Sequence, residues 1–104
     1  MAIISNSSGG LNQQLHGAVD PDGNKMWGEG FSCRLLGKGA YLVEFDKPFF
    51  GQPTAVCTIY GEPWNTFDKS VAIIEINPSY FVCFTSKPGD VLNCAFSFIV
   101  FGDV

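Results

Sequence analysis

Few residues in this chain carry the chemistry of catalysis. His16 is the only histidine, and the four cysteines stand at Cys33, Cys57, Cys83 and Cys94. A cysteine activated by a neighbouring histidine makes a nucleophile. His16, however, has no serine or cysteine at a motif spacing, so such a dyad would have to form across space. Two separated carboxylates would serve glycoside hydrolysis, but ten acidic residues among 104 will give such pairs by chance. The chain therefore reads as a non-enzyme with no catalytic residues, and His16 as an ordinary polar or interface residue.

The cysteines never form a C-x-x-C pair, and their spacing matches no common zinc or redox motif. Each lies in a hydrophobic run, where a free thiol behaves as a small buried apolar group. Four reduced core thiols are expected, with one or two disulfides as the alternative. Asp20-Pro21-Asp22-Gly23-Asn24 clusters oxygen-bearing side chains as a calcium loop would. An EF-hand needs an acidic residue at its twelfth position, and Phe31 stands there. Asx residues with proline and glycine build a turn without any ion, so no metal or other cofactor is expected.

The stretch from Tyr60 to Asp68, YGEPWNTFD, is the strongest candidate for binding. Connections between rigid strands carry binding residues more often than the strands do. Trp64 offers a flat apolar face, and Glu62, Asn65 and Asp68 offer hydrogen-bond partners beside it. Tyr60, Glu62, Trp64, Asn65 and Asp68 are the candidate ligand-binding residues. The combination suits a sugar ring, with its apolar C–H face and hydroxyl rim, and equally a protein surface. The structural alternative has Trp64 and Phe67 folding back over the domain or burying against another subunit. Trp27 reads more simply as a packing residue.

The elements that must hold these residues are strands. No heptad or amphipathic helical period runs anywhere in the chain. Short alternating runs are cut by glycine and proline, as in all-β proteins. Strands are expected over residues 15–19, 31–36, 40–46, 54–60, 70–76 and 80–85. A last and longest strand is expected over 92–101, with Leu92, Cys94, Phe96, Phe98 and Val100 on one face. The hairpin turn at 77–79 and the Lys87-Pro88-Gly89-Asp90 turn separate the later ones. Residues 1–10 form a flexible lead-in or a first strand completed by another subunit, and residues 11–104 a single domain. The fold class is an all-β antiparallel sandwich, a jelly roll of seven to ten strands.

Composition bounds the partners. Six basic residues against ten acidic ones give a net charge of -4, and the basic residues are scattered singly. No basic stripe is present to displace counterions from a nucleic acid, and an anionic membrane surface is disfavoured for the same reason. No apolar run is long enough to span a bilayer. MAIISNSSGG lacks the basic and apolar regions of a signal peptide. Ten phenylalanines among 104 residues are a heavy aromatic load for a small monomer. Part of that surface is expected to be buried between chains.

The run Gly28-Glu-Gly-Phe31, then Gly39-Ala-Tyr41-Leu-Val43-Glu-Phe45, Pro48-Phe49 and Pro53-Thr-Ala-Val56 carries a family resemblance. With the ending Phe96-Ser-Phe98-Ile-Val-Phe-Gly102, it resembles small bacterial and phage β-sandwich modules similar to C1q/TNF-type jelly rolls and H-type lectin domains. That resemblance implies a homotrimer. No sugar-binding residue is carried over from it. Two functions follow as expectations. The first is a non-enzymatic trimeric recognition module that binds carbohydrate or a cell-surface ligand through its loops. The alternative is a structural module, such as a phage-like fibre or tail trimerisation domain.

Overall fold

The computed structural model describes residues 11–104 and, as a backbone strand, residues 2–5. Two five-stranded sheets pack face to face, and every strand pairing is antiparallel. The first sheet runs β1 (Ala2–Ser5), β2 (Leu11–Val19), β10 (Phe96–Asp103), β6 (Phe50–Ile59). A short β3 (Lys25–Gly28) extends the β2 edge beyond β1. The second sheet runs β4 (Phe31–Gly37), β5 (Ala40–Phe45), β8 (Tyr80–Lys87), β7 (Ser70–Ile76), with β9 (Asp90–Val91) pairing the end of β8. One helical turn, α1 (Pro63–Thr66), interrupts the crossing from β6 to β7. The expected all-β antiparallel sandwich is thus the observed fold. Ala2–Ser5 pairs with β2 of the same chain, and the remainder of the expected lead-in, residues 1 and 6–10, lies outside the described residues.

The core follows from alternation. Inward residues of β10 are Phe96, Phe98 and Val100, and they meet Phe31, Tyr41, Val43, Phe45, Phe81 and Cys83 of the facing sheet. The Phe98 ring lies edge-to-face against Phe31 at 4.9 Å and against Phe81 at 5.3 Å. Tyr41 meets Phe96 at 5.1 Å in the same manner. Such edge-to-face pairs add about 0.5–1.5 kcal/mol each beyond the area they bury. Six of the ten phenylalanines, Phe31, Phe45, Phe49, Phe81, Phe96 and Phe98, are buried here. The core thus takes up six of the ten phenylalanines, while Phe50, Phe67, Phe84 and Phe101 stay exposed.

Glycine makes the closest approach in the core. Gly17 on β2 faces Gly28 on β3, and a Cβ on Gly17 would stand 2.4 Å from the Phe31 ring. At Gly28, φ is 107° and a Cβ would sit 2.3 Å from the His16 carbonyl oxygen. Only glycine occupies that pair without displacing Phe31.

Three expectations are corrected. The strand expected over residues 92–101 is instead β10, Phe96–Asp103, and the longest strand is β6 with ten residues. Residues 92–95 leave the ladder because side chains satisfy the backbone there. The Thr85 hydroxyl donates to the Leu92 carbonyl at 2.5 Å and accepts from the Cys94 N–H at 3.3 Å. The Gly39 N–H donates to Asn93 Oδ1 at 2.6 Å. β3 was not expected, since four residues pairing one edge leave no readable period. The YGEPWNTFD stretch holds a helical turn because Pro63 presets the first helical φ.

Replacing Phe98 by alanine should cost about 3–5 kcal/mol, as for other buried phenylalanines, because three aromatic neighbours lose a partner at once. Denaturant unfolding of Phe98→Ala measures it; a loss below about 1 kcal/mol would remove Phe98 from the centre of the core.

Candidate functional site

A pocket of about 430 Å³ opens where the β2–β3 turn, the end of β6, α1 and residues 92–95 converge. Three interactions, each reaching back into the sandwich, set its walls. The Tyr41 hydroxyl donates to the Pro21 carbonyl at 2.7 Å and pins the turn between β2 and β3. Burial pushes that hydroxyl up to about 12, so it stays a neutral donor. Thr85 and Asn93 hold residues 92–95 as described above. The Tyr60 N–H donates to the Ala95 carbonyl at 3.0 Å and joins the third wall to the second.

Tyr60 itself is half exposed and lies edge-to-face with Trp27, at 5.2 Å and 85°. With Met26, Pro21 and Leu92 it supplies apolar lining. Asp20, Glu62, Asn65, Lys69 and Asn93 supply polar groups. Asp20 Oδ1 accepts the N–H groups of Asp22 and Asn24, each at 2.9 Å. The Asn24 N–H bond is the largest cause holding the Asp20 carboxyl below its usual range, with the Asn24 side chain and the Asp22 and Gly23 N–H groups adding to it. The five residues from Asp20 to Asn24 are thus a self-satisfied Asx turn, with Gly23 at φ 90°. Among the described residues, no group of three His, Cys, Asp or Glu side chains is placed to hold a metal ion.

Of the five residues singled out in the sequence, the structure gathers three. Tyr60, Glu62 and Asn65 line the pocket. Trp64 projects away from it on α1, 69% exposed, and the neighbouring Phe67 is 82% exposed. Neither folds back over the sandwich. Asp68 is paired with Lys69, which lowers its carboxyl. The sequence reading missed Asp20, Met26, Lys69 and Asn93. Asp20 and Asn93 are far from the 60–68 stretch in sequence, and the Tyr41, Thr85 and Gly39 anchors with the Tyr60–Ala95 bond bring them to it.

A second feature covers the outer face of the first sheet. Strand register sets three rows across β6, β10 and β2: Thr58–Ser97–Ala18, Val56–Ile99–His16 and Thr54–Phe101–Gln14. None of these nine side chains is an acid, a lysine or an arginine. Val56 is 67% exposed, Ile99 48% and Phe101 42%. A shallow groove of about 320 Å³ runs along this face beside Trp27, and His16 opens into it. The other sheet's outer face differs. Its exposed Phe84 and Ile74 share it with Arg34, Glu44 and a Tyr80–Glu75 hydrogen bond.

All four cysteines are free thiols. Desolvation pushes Cys33 up to about 12. Cys83 is raised further, first by its hydrogen bond with Cys57 and then by burial. Such thiols are poor nucleophiles at neutral pH. Among the described residues, no helix is long and apolar enough to cross a membrane.

No protein-family model matches the chain, and none of the curated proteins matches it. Two solved structures are similar in fold. An N-truncated R1-type pyocin tail fibre superposes with a TM-score of 0.48 at 14% identity, over 98% of this chain and 86% of that one. A fibre of the R1 pyocin of P. aeruginosa, comprising its C-terminal residues 323–701, gives 0.48 at 16% identity, over 93% of this chain and 24% of that one. The expected resemblance to C1q/TNF-type and H-type lectin domains is not shown by these matches.

Tyr41→Phe tests the pocket's framework. It should keep the core ring and lose about 1 kcal/mol in denaturant unfolding, with the amides of Pro21's neighbours Asp20 and Asp22 shifting in NMR spectra. Unchanged amides there would mean the turn is held by its own Asx bonds alone.

Proposed function

We propose that this chain is a non-enzymatic assembly module that joins copies of itself, as in a fibre or tail trimerisation domain. The observation that carries this reading is the exposed apolar patch built by Val56, Ile99 and Phe101, in rows that hold no acid, lysine or arginine. Contiguous apolar patches on folded domains mark interaction surfaces. The occupant that fits best is another copy of the chain. Every copy carries a net charge of -4, so two copies repel over most orientations, and three central rows without an acid, lysine or arginine, with Asp103 in the row beyond Phe101, let them meet at low cost. The face is also a broad sheet surface, a shape that packs against another sheet about 10 Å away. Three copies is the number proposed.

A second reading is recognition of a carbohydrate or cell-surface ligand through the connecting loops. The pocket lined by Tyr60, Glu62 and Asn65 favours it. The two readings are compatible, since assembly multiplies weak sites into avidity.

Light scattering coupled to size-exclusion chromatography tests the assembly reading. The wild-type chain of 11.3 kDa should elute at three times its own mass. Ile99→Asp, which places a charge at the centre of the face, should elute as a monomer with an unchanged melting temperature. Val56→Lys should do the same from the neighbouring strand. A monomeric wild type, or variants that remain assembled, would contradict the proposal.

A further inference from the structure

The pocket at the Tyr60 end of the sandwich has the composition of a site for a particular ligand class. We propose that it binds an uncharged hexopyranose, with the apolar face of the sugar against Tyr60 and Met26 and its hydroxyls toward Glu62, Asn65 and Asn93. This goes beyond the assembly reading and does not rest on it. It makes the recognition reading specific.

Three observations carry it. First, the cavity of about 430 Å³ lies within the range of small-molecule sites, about 300–1,000 Å³. Its lining combines apolar groups with a few polar ones, the two kinds of contact that a pyranose ring offers.

Second, the polar groups have capacity to spare. The side chains of Glu62 and Asn65 make no hydrogen bond or ion pair with the described residues. Asn93 uses its Oδ1 on the Gly39 N–H and keeps its amide N–H groups. That leaves a carboxylate acceptor, an amide of both kinds and an amide donor around one space. Sugar hydroxyls both donate and accept, and they match such a set. Of these groups Asn93 is anchored to the sandwich through the Gly39 N–H, so it needs little ordering on binding.

Third, the charges choose among sugars. Lys69 is already paired with Asp68, so the unpaired charge facing the pocket is that of Asp20 and Glu62. A carboxylated sugar would meet two like charges there.

The test is a ¹H–¹⁵N NMR titration of the full chain with methyl glycosides of glucose, galactose, mannose and N-acetylglucosamine. Glucuronate and N-acetylneuraminate serve as acidic controls, and n-butylammonium as a cationic one. At least one neutral glycoside should shift the amides of Gly61, Asn65 and Ala95, and bind at least tenfold tighter than either acidic sugar. Asn65→Ala should weaken that binding about tenfold. Glu62→Gln should keep it and narrow the gap to the acidic sugars. The Ile99→Asp variant should bind as the wild type does, so a failure of assembly and a failure of sugar binding are read separately. The proposal is overturned if no neutral glycoside shifts these amides, or if acidic sugars bind as well. Binding unaffected by Asn65→Ala would also overturn it, as would n-butylammonium occupying the same amides as tightly.

Discussion

The aromatic contact between the two sheets is what the rest of the structure depends on. Phe96 and Phe98 from β10 reach across to Phe31, Tyr41 and Phe81, and those three come from three different strands of the facing sheet. A chain of 104 residues buries only about two-thirds of its unfolded surface. A few large side chains must therefore supply much of the driving force, since burying one such side chain is worth about 1.5–3 kcal/mol. Gly17 and Gly28 belong to the same constraint, because any side chain at that pair would push Phe31 out of the contact.

Both candidate surfaces follow from that core. Side chains alternate across a strand, so fixing Phe96, Phe98 and Val100 inward fixes Ser97, Ile99 and Phe101 outward. A slip of one residue would exchange the two sets. The exposed apolar patch is thus coupled to the aromatic interior, and its register with Val56 and His16 is set by the same ladder. The pocket hangs on the core by different means. Tyr41 packs its ring on Phe96 and sends its hydroxyl to Pro21, while Thr85, fully buried, carries residues 92–95. Core residues with polar tips therefore place loops that are distant in sequence around one space.

The sandwich was legible in the sequence because period-two alternation and Gly/Pro turns are local signals. The run from Tyr41 to Phe45 and the hairpin at Asn77 show them plainly, and both were read as found. The end of the chain was less legible. Leu92 and Cys94 continue the alternation of Phe96 and Phe98, yet they leave the ladder because Thr85 and Asn93 compete for the backbone. That competition is tertiary and has no trace in the local pattern. The candidate site was half legible for the same reason. Tyr60, Glu62 and Asn65 stood out as polar and aromatic residues on one connection, whereas Asp20 and Asn93 join them only through folding. Trp64 drew attention by its type, but one turn of helix started by Pro63 aims it away from the pocket. The aromatic count points toward a partner, and burial inside the chain accounts for part of it, six of the ten phenylalanines. What points to assembly more sharply is the position of Val56, Ile99 and Phe101 among the apolar side chains left outside.

The central claim is that copies of this chain meet on the outer face formed by β2, β10 and β6. Photochemical carbene footprinting over a dilution series tests it residue by residue. Val56, Ile99 and Phe101 should be labelled in dilute protein and protected as concentration rises, while Trp64 and Phe67 remain labelled throughout. Equal labelling of Val56, Ile99 and Phe101 at every concentration, or protection that falls on Trp64 and Phe67 instead, would contradict it.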